Sequence, residues 1–515
     1  MSMLASRRAV IAGASVAVGV SAIGPIPTAF AADYMAGSWP ATPLLPELDR
    51  HLISRFSYAV TPELAQQVSA AGGARAWFDQ QLATAYDGSA DNLADWWPHL
   101  HLRPTAVWKL QMAGTRAGYR VMYDYGRRLL VRRLISPKPV LEVMQEFWEN
   151  YLNVSVNGDS QFTWRARYGD VIRKHALGRF DQMLQEAITH PAMLIYLDGA
   201  NSTKDHPSEN LARELLELHT VGVGAFRERD VKAAARLLTG YRIADRDDWT
   251  YSYDRSVHAT GKVRVLGFKS ANKRRDGRPA TRKLLRYLAR HPKTARRIAH
   301  RLAVTFVGDN PSPALVDRLA KVYRANGTAI KPVLQALVDS PEFAAAGGLK
   351  VRDPSQDVVA TFAVLGAQLG RPEQDDISGA SLIVHMAETV GLAPMAWPLP
   401  DGSPQASSPW TSPARMMASF DMHWRMATRS QPNRNITYRM PEQWLPAPSI
   451  ALRDLVDHMS RVIHHRPSTA TLLQACCEAV EMDPGEIITA SHPLVTFFMP
   501  RLLVVFLDHP AHLTR

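Results

Sequence analysis

Cysteine is nearly missing: Cys476 and Cys477 are the only two in 515 residues, and they are neighbours. Adjacent cysteines close only a strained ring, so a disulfide framework is excluded and the pair reads as two small buried residues on the helical stretch LLQACCEAVE. Long apolar runs are also scarce. Beyond the N-terminus no segment holds 18 uncharged apolar residues, so no membrane span is expected there. Strand-like alternation is rare, and no repeat at the spacing of solenoids or propellers stands out. With 30 Gly and 35 Pro the composition is that of an ordinary globular chain, not a collagen-like or disordered one. No HExxH, CxxC, Walker loop, GxSxG or Rossmann fingerprint stands in the context it needs, which leaves zincin, nucleotide-binding and serine-hydrolase readings without support.

What is present begins with a leader. Ser6, Arg7 and Arg8 precede the moderately apolar run VIAGASVAVGVSAIG, then Pro25, Pro27 and the small-x-small sequence Ala29-Phe30-Ala31. This predicts a twin-arginine-type signal peptide over residues 1–31, the route that carries already folded proteins, and hence export across the cytoplasmic membrane. The alternative is a general secretory signal. Sixty Lys and Arg against 48 Asp and Glu give +12. The basic residues cluster at Arg127-Arg128 with Arg132-Arg133, from Lys273 to Lys283 and from Lys293 to Arg301. These clusters read as solvated helix faces, or as contacts to an anionic envelope polymer; export argues against nucleic acid.

Apolar residues recur every three to four positions through most of the remaining chain, as in PVLEVMQEFWENYL and KTARRIAHRLAVTFVG. Thr61-Pro62 and Ser136-Pro137 look like helix starts, with proline in the first turn. One small β-hairpin insertion is expected within Trp249–Leu266, where Tyr, Val and Thr gather. Residues 391–415 carry six prolines and two tryptophans and are expected to form an ordered loop on the helical body, or a sub-boundary in it. The expectation is an all-α fold with a small hairpin and a Pro-rich ordered loop, residues 32–515 forming a single large helical domain.

The stretch Met193–Tyr241 contains Glu209, Asn210, Ala212, Arg213, Glu214, Leu215, Glu217 and Leu218, then Thr220 and Gly222, then Asp230, Val231, Ala235, Arg236, Leu238, Thr239 and Gly240. It closely resembles the bacterial family called domain of unknown function 1800. Further pieces are similar and stand in the family's order: HLISRFSYAVTPEL, FWENYL, HATGKVRVLG, HPKTARRIAHRLAVTFVGD, DSPEF and the segment from Pro400 to Trp410. The resemblance covers nearly all of the chain after the leader. It implies an exported protein, and a sulfatase-like exported protein as a partner, but no reaction. The chain departs from the family at Ala59, where glycine is usual, and in FWENYL, where Glu149 and Tyr151 stand in place of frequent histidines. A role for those histidines therefore does not transfer.

At about 100° per residue, Asn210, Arg213, Glu214 and Glu217 share an arc of roughly 100°, with Leu211, Leu215, Leu216 and Leu218 on the other side. Glu214 and Glu217 are three apart, so their carboxylates are neighbours. Two readings follow: Asn210, Glu214 and Glu217 hold a divalent cation such as Ca²⁺ or Mg²⁺, or Glu214 and Glu217 divide acid and base roles. A third is bland: Glu209, Arg213 and Glu217 form an i, i+4 ladder of alternating charge. His219 falls in the leucine face and reads as a core residue. His258, in the Gly-bearing loop with Lys262, is the better-placed titratable group. Trp397 and Trp410 could stack on sugar rings. The functional expectation is an exported hydrolase acting on an envelope glycan, with Glu214, Glu217 and His258 catalytic and Asn210, Arg213, Lys262, Trp397 and Trp410 binding substrate; the alternative is a non-catalytic envelope scaffold.

Overall fold

The structure is a computed structural model describing residues 37–84, 93, 95–158, 160–244, 248–373 and 377–515; the leader expected over residues 1–31 lies outside them. Twenty-three α-helices dominate the described residues, with only two-stranded antiparallel sheets between them. The all-α expectation holds. Local chemistry sets several boundaries. Thr61 caps the helix Pro62–Ala70 by accepting from the Leu64 amide at 3.2 Å. The next proline start is displaced by two residues. The helix begins at Pro139, and Ser136 instead accepts from the Lys138 amide and donates to Glu142.

A continuous apolar core runs from Leu52 to Leu507. Gly118–Ile135, Pro354–Val364 and Gly379–Val390 pack on one another, as do Pro139–Tyr151, Arg165–His175 and Phe180–Ile188 in sequence. Cys476 and Cys477 are buried and unpaired, as expected.

The single expected hairpin is corrected to two. Tyr251–Tyr253 pairs back with Tyr241–Ile243, and Val263–Val265 pairs forward with Phe268–Ser270. The reason lies between them. Asp254 turns the chain by accepting from Ser256, and His258 is then fastened to the end of helix Glu228–Leu237, so the two candidate strands never meet. Gln368–Leu369 with Ile436–Thr437, and Ser449–Ala451 with Ile487–Thr489, add two long-range ladders that no local pattern announces.

A second correction concerns the basic run Arg127-Arg128 and Arg132-Arg133. All four are buried. Arg127 bonds Asp124 at 2.8 Å, Arg132 bonds Glu142 at 2.8 Å and Gln145 at 2.7 Å, and Arg128 reaches Asp170 at 3.0 Å. Charged side chains enter a core only when paired, and these helices supply the partners.

The Pro-rich loop is ordered, as expected, and its fastenings are explicit. Asn153 Nδ2 donates to the Trp397 and Leu399 carbonyls at 3.0 and 2.7 Å, and Asn157 donates to Ala396 at 3.0 Å. Asn150 of FWENYL donates to the Ser403 carbonyl at 3.0 Å and accepts from its amide and hydroxyl at 2.6 and 2.9 Å. Asp309 accepts from the Ser407 amide at 2.8 Å and pairs with Lys350, which also donates to Gln405 at 2.7 Å. Gly402 permits the closest approach, because a Cβ there would lie 2.1 Å from the Asn150 carbonyl oxygen and its φ is +75°. Gly402→Ala is expected to lower stability by about 1–3 kcal/mol and to raise amide exchange in the loop, measured by chemical unfolding and hydrogen exchange. An unchanged midpoint and exchange pattern would contradict this expectation.

Candidate functional site

The helix expected from Pro207 begins at Glu209 and ends at Glu217, with Ser208 as its cap residue. Glu209 still sits in the first turn, where the helix dipole favours a negative charge. Leu211, Leu215 and Leu216 face the core as expected. The chain then leaves the helix through Thr220, whose hydroxyl donates to the Leu215 carbonyl at 2.6 Å, and Gly222, whose amide donates to Leu216 at 3.0 Å.

On the polar side the expected group divides. Asn210 is exposed and donates to Asp198 at 2.9 Å. Arg213 turns to Glu228 of the neighbouring helix, at 2.8 and 3.0 Å, with Glu209 at 3.8 Å. That is the bland ladder, rerouted from Glu217 to Glu228. At this exposure such a pair contributes little.

Glu214 and Glu217 behave differently. Glu214 is partly buried, and its carboxyl holds its proton more tightly than an ordinary glutamate because of burial, then Glu217, with Asp401 adding a further negative charge. Tyr196 is pushed up to about 12 by burial, then by Asp401 and Glu214, and its hydroxyl donates to the Pro398 carbonyl at 2.6 Å. Asp401 accepts from the Trp397 indole at 3.0 Å. The Pro-rich loop therefore brings Asp401, a carboxylate absent from the sequence expectation and bonded to Trp397, into electrostatic reach of Glu214. The signal was there to read in the Pro-Asp-Gly run, but its partner was 187 residues away in sequence.

The other expected site residues lie elsewhere. His258 is buried, with Nδ1 against the Thr239 carbonyl and hydroxyl at 3.0 and 3.1 Å and Nε2 against Asn272 at 3.2 Å. It locks a hairpin to a helix end, and the expectation that its loop delivers it to a cleft is corrected. Lys262 is exposed, and its carbonyl takes Arg236 at 3.4 Å. Trp410 donates to the Pro404 carbonyl at 3.1 Å within the loop. His219 is a core residue as expected. Nδ1 lies 3.2 Å from the Tyr151 carbonyl, Nε2 has no partner, and burial lowers its pKa to about 4.

In the cation reading of Asn210, Glu214 and Glu217 the ligand atom of Asn210 is Oδ1, and its bond to Asp198 is made through Nδ2. Among the described residues, the three His, Cys, Asp or Glu donors that converge within 4.8 Å are Asp357, His423 and His512, all buried. They do not suit a metal. Asp357 is occupied by Arg415 at 3.0 Å, Ser419 at 2.6 Å and His423 at 3.2 Å, and the other nitrogen of His423 meets Asp508 at 2.7 Å. This is an ion-pair core, with guanidinium and imidazole already where a cation would sit.

A cavity of about 800 Å³ lies against the start of the Pro-rich loop. Trp108, Tyr119 and Tyr123 supply aromatic rings, Gln111, Asn157 and Glu388 supply polar groups, and Gly391 to Ala396 form one wall. This size and lining suit a small-molecule or polymer segment.

No curated protein and no solved structure matches the chain. The sequence model of the family described as "Protein of unknown function (DUF1800)" matches residues 51–512. That span takes in the acidic helix, the Pro-rich loop and the ion-pair core alike, and the chain belongs to the DUF1800 family.

Proposed function

We propose that the protein is exported and acts on a glycan of the cell envelope, with Glu214 as general acid and Glu217 or Asp401 as the partner carboxylate. The observation that carries the reading is that Glu214 and Glu217 stand one turn apart on a half-buried face, and that Glu214 feels the charge of Asp401, which accepts from the Trp397 indole in a loop tied down by hydrogen bonds. Paired carboxylates in unlike environments divide acid and base work, because the group pressed by burial and like charge keeps its proton. Trp397 gives a ring on which a sugar can stack, and the aromatic cavity along Gly391–Ala396 gives further binding surface beside the same loop.

A second reading, a non-catalytic envelope scaffold, is favoured by a specific observation. Many residues of the family motif serve the backbone. Asp230 accepts from the Arg227 and Leu266 amides at 3.0 and 2.7 Å, and Thr239 accepts from Ala259 at 2.8 Å.

Glu214→Gln and Glu217→Gln separate the two readings. The acid–base reading expects each to fold as wild type and to lower release of reducing ends from isolated cell-wall polysaccharide by about 100-fold or more. Variants that match wild type both there and in complementing a deletion strain would leave the scaffold.

A further inference from the structure

A second cavity, of about 490 Å³, is built from residues that take no part in the acidic site. Arg50, Arg352, Arg466 and Arg515 line it together with His51 and His464, and Glu47 is the one acidic residue in its wall. Arg352 donates to the His512 and Tyr58 carbonyls at 2.8 and 2.7 Å and Arg50 to the His465 carbonyl, but donors remain unused at Arg50 and Arg515. Arg515 is 7 % exposed, and its Nε and Nη1 have no hydrogen-bond partner; the Arg50 Nε is likewise buried without one. Arg50 loses its proton more easily than usual through burial and then the Arg466 charge, with Glu47 opposing; Arg352 is lowered to about 9 through burial and Arg515, with Asp357 and Asp353 opposing. Such a cavity is a preformed well of positive potential.

The histidines add a different preference. His51 meets the Phe343 carbonyl through Nε2 at 2.8 Å, and His464 meets the Phe506 carbonyl through Nε2 at 2.9 Å. A carbonyl can only accept, so each Nε2 carries the hydrogen and each Nδ1 presents a lone pair. Both Nδ1 atoms are buried and without a partner. Burial keeps both rings neutral near pH 7, with Arg55 adding to the effect at His51 and Arg466 at His464. The wall thus offers guanidinium donors and imidazole acceptors together.

We propose that this cavity binds a small ligand bearing a tetrahedral oxyanion, phosphate or sulfate, on a hydroxylated carrier. The oxyanion is taken by Arg50, Arg466 and Arg515, and the carrier hydroxyls donate to His51 and His464. Guanidinium groups bind tetrahedral oxyanions through paired N–H donors, and the cavity is larger than a bare inorganic ion requires.

The test is calorimetric titration of the folded chain with glucose 6-phosphate, glucose 6-sulfate, inorganic phosphate and glucose, at physiological salt. Saturable binding of one or both glucose esters is expected, with the two esters distinguishing phosphate from sulfate. Arg466→Ala, an exposed rim position, is expected to weaken it about 10-fold, and Arg50→Ala by at least as much. His464→Phe is expected to weaken the glucose esters while leaving inorganic phosphate unchanged. Absence of saturable binding by either ester, equal binding of glucose, or unchanged binding in Arg466→Ala overturns the proposal; because Arg466 is exposed, the test does not depend on how Arg50→Ala folds.

Discussion

Glu149→Ala is expected to cost about 3–5 kcal/mol of stability, because it breaks a fully buried ion pair from one side. Glu149 and Arg165 are 1 % and 0 % exposed, and their carboxylate and guanidinium meet at 2.7 Å. Tyr125 donates to the same carboxylate at 2.8 and 2.9 Å, and Arg165 also donates to the Val154 carbonyl at 2.7 Å. The guanidinium lies over the Tyr125 ring at 4.8 Å. Packing is tight enough that a Cβ on Gly169 would lie 1.8 Å from the Tyr125 hydroxyl. Burial raises the Glu149 carboxyl, but Arg165 and the hydrogen bonds hold it below the ordinary glutamate range, so it is ionised. Removing it strands a positive charge that burial keeps from bulk water. Urea unfolding checks the loss, and Glu149→Leu combined with Arg165→Met should recover most of it, since both charges then leave together. A single variant as stable as wild type would mean that the pair contributes nothing.

The second large effect is a pH dependence at the opposite end of the chain. Burial lowers the affinity of His423 for its proton, but Asp357 and Asp508 more than offset this, and its pKa is raised to about 9. A group raised on folding stabilises fully below its unfolded value, near 6.5, and loses that contribution as pH rises through the folded value. Wild-type stability should therefore fall by about 3 kcal/mol between pH 6.5 and pH 10 through this group. Asp357 moves the other way. Burial raises its carboxyl, but His423 and Arg415 hold it well below the usual range, so its contribution is present above about pH 4 and disappears on acidification. Asp508 stays raised, by burial and by the Asp357 charge, despite its bond to His423. Urea midpoints of wild type and His423→Gln across pH 5 to 10 give the answer. Wild type should lose its advantage on the alkaline side, and parallel curves would show that the imidazole is not charged in the fold.

Helical class, the order of the loop and the leucine face of Glu209–Glu217 were legible because each rests on local spacing: three-to-four periodicity, proline density and the arc of a single helix. Partners were not. Periodicity placed Arg213 on the same face as Glu217 but could not reveal that Glu228, on the next helix, would take it. It gave His258 a loop but not Thr239 and Asn272 on either side of the ring. The Asp357, His423 and Asp508 core joins residues from three distant helices or their ends, and the arginine-rich cavity draws on both Arg50 and Arg515. Asp401 was missed for the same reason, since its relation to Glu214 exists only after Asn150, Asn153 and Asn157 have drawn the loop onto the helices.

On the proposed glycan-binding reading, those three amide side chains bear on recognition as well as on folding. A molecule arriving at Trp397 or at the Ala396 rim meets a surface with few alternative shapes left to abandon, so the ordering penalty that mobile loops impose on association is small there. On that reading selectivity along the loop rests on matching a fixed contour, and poorly fitting molecules are turned away because the wall does not adapt to them.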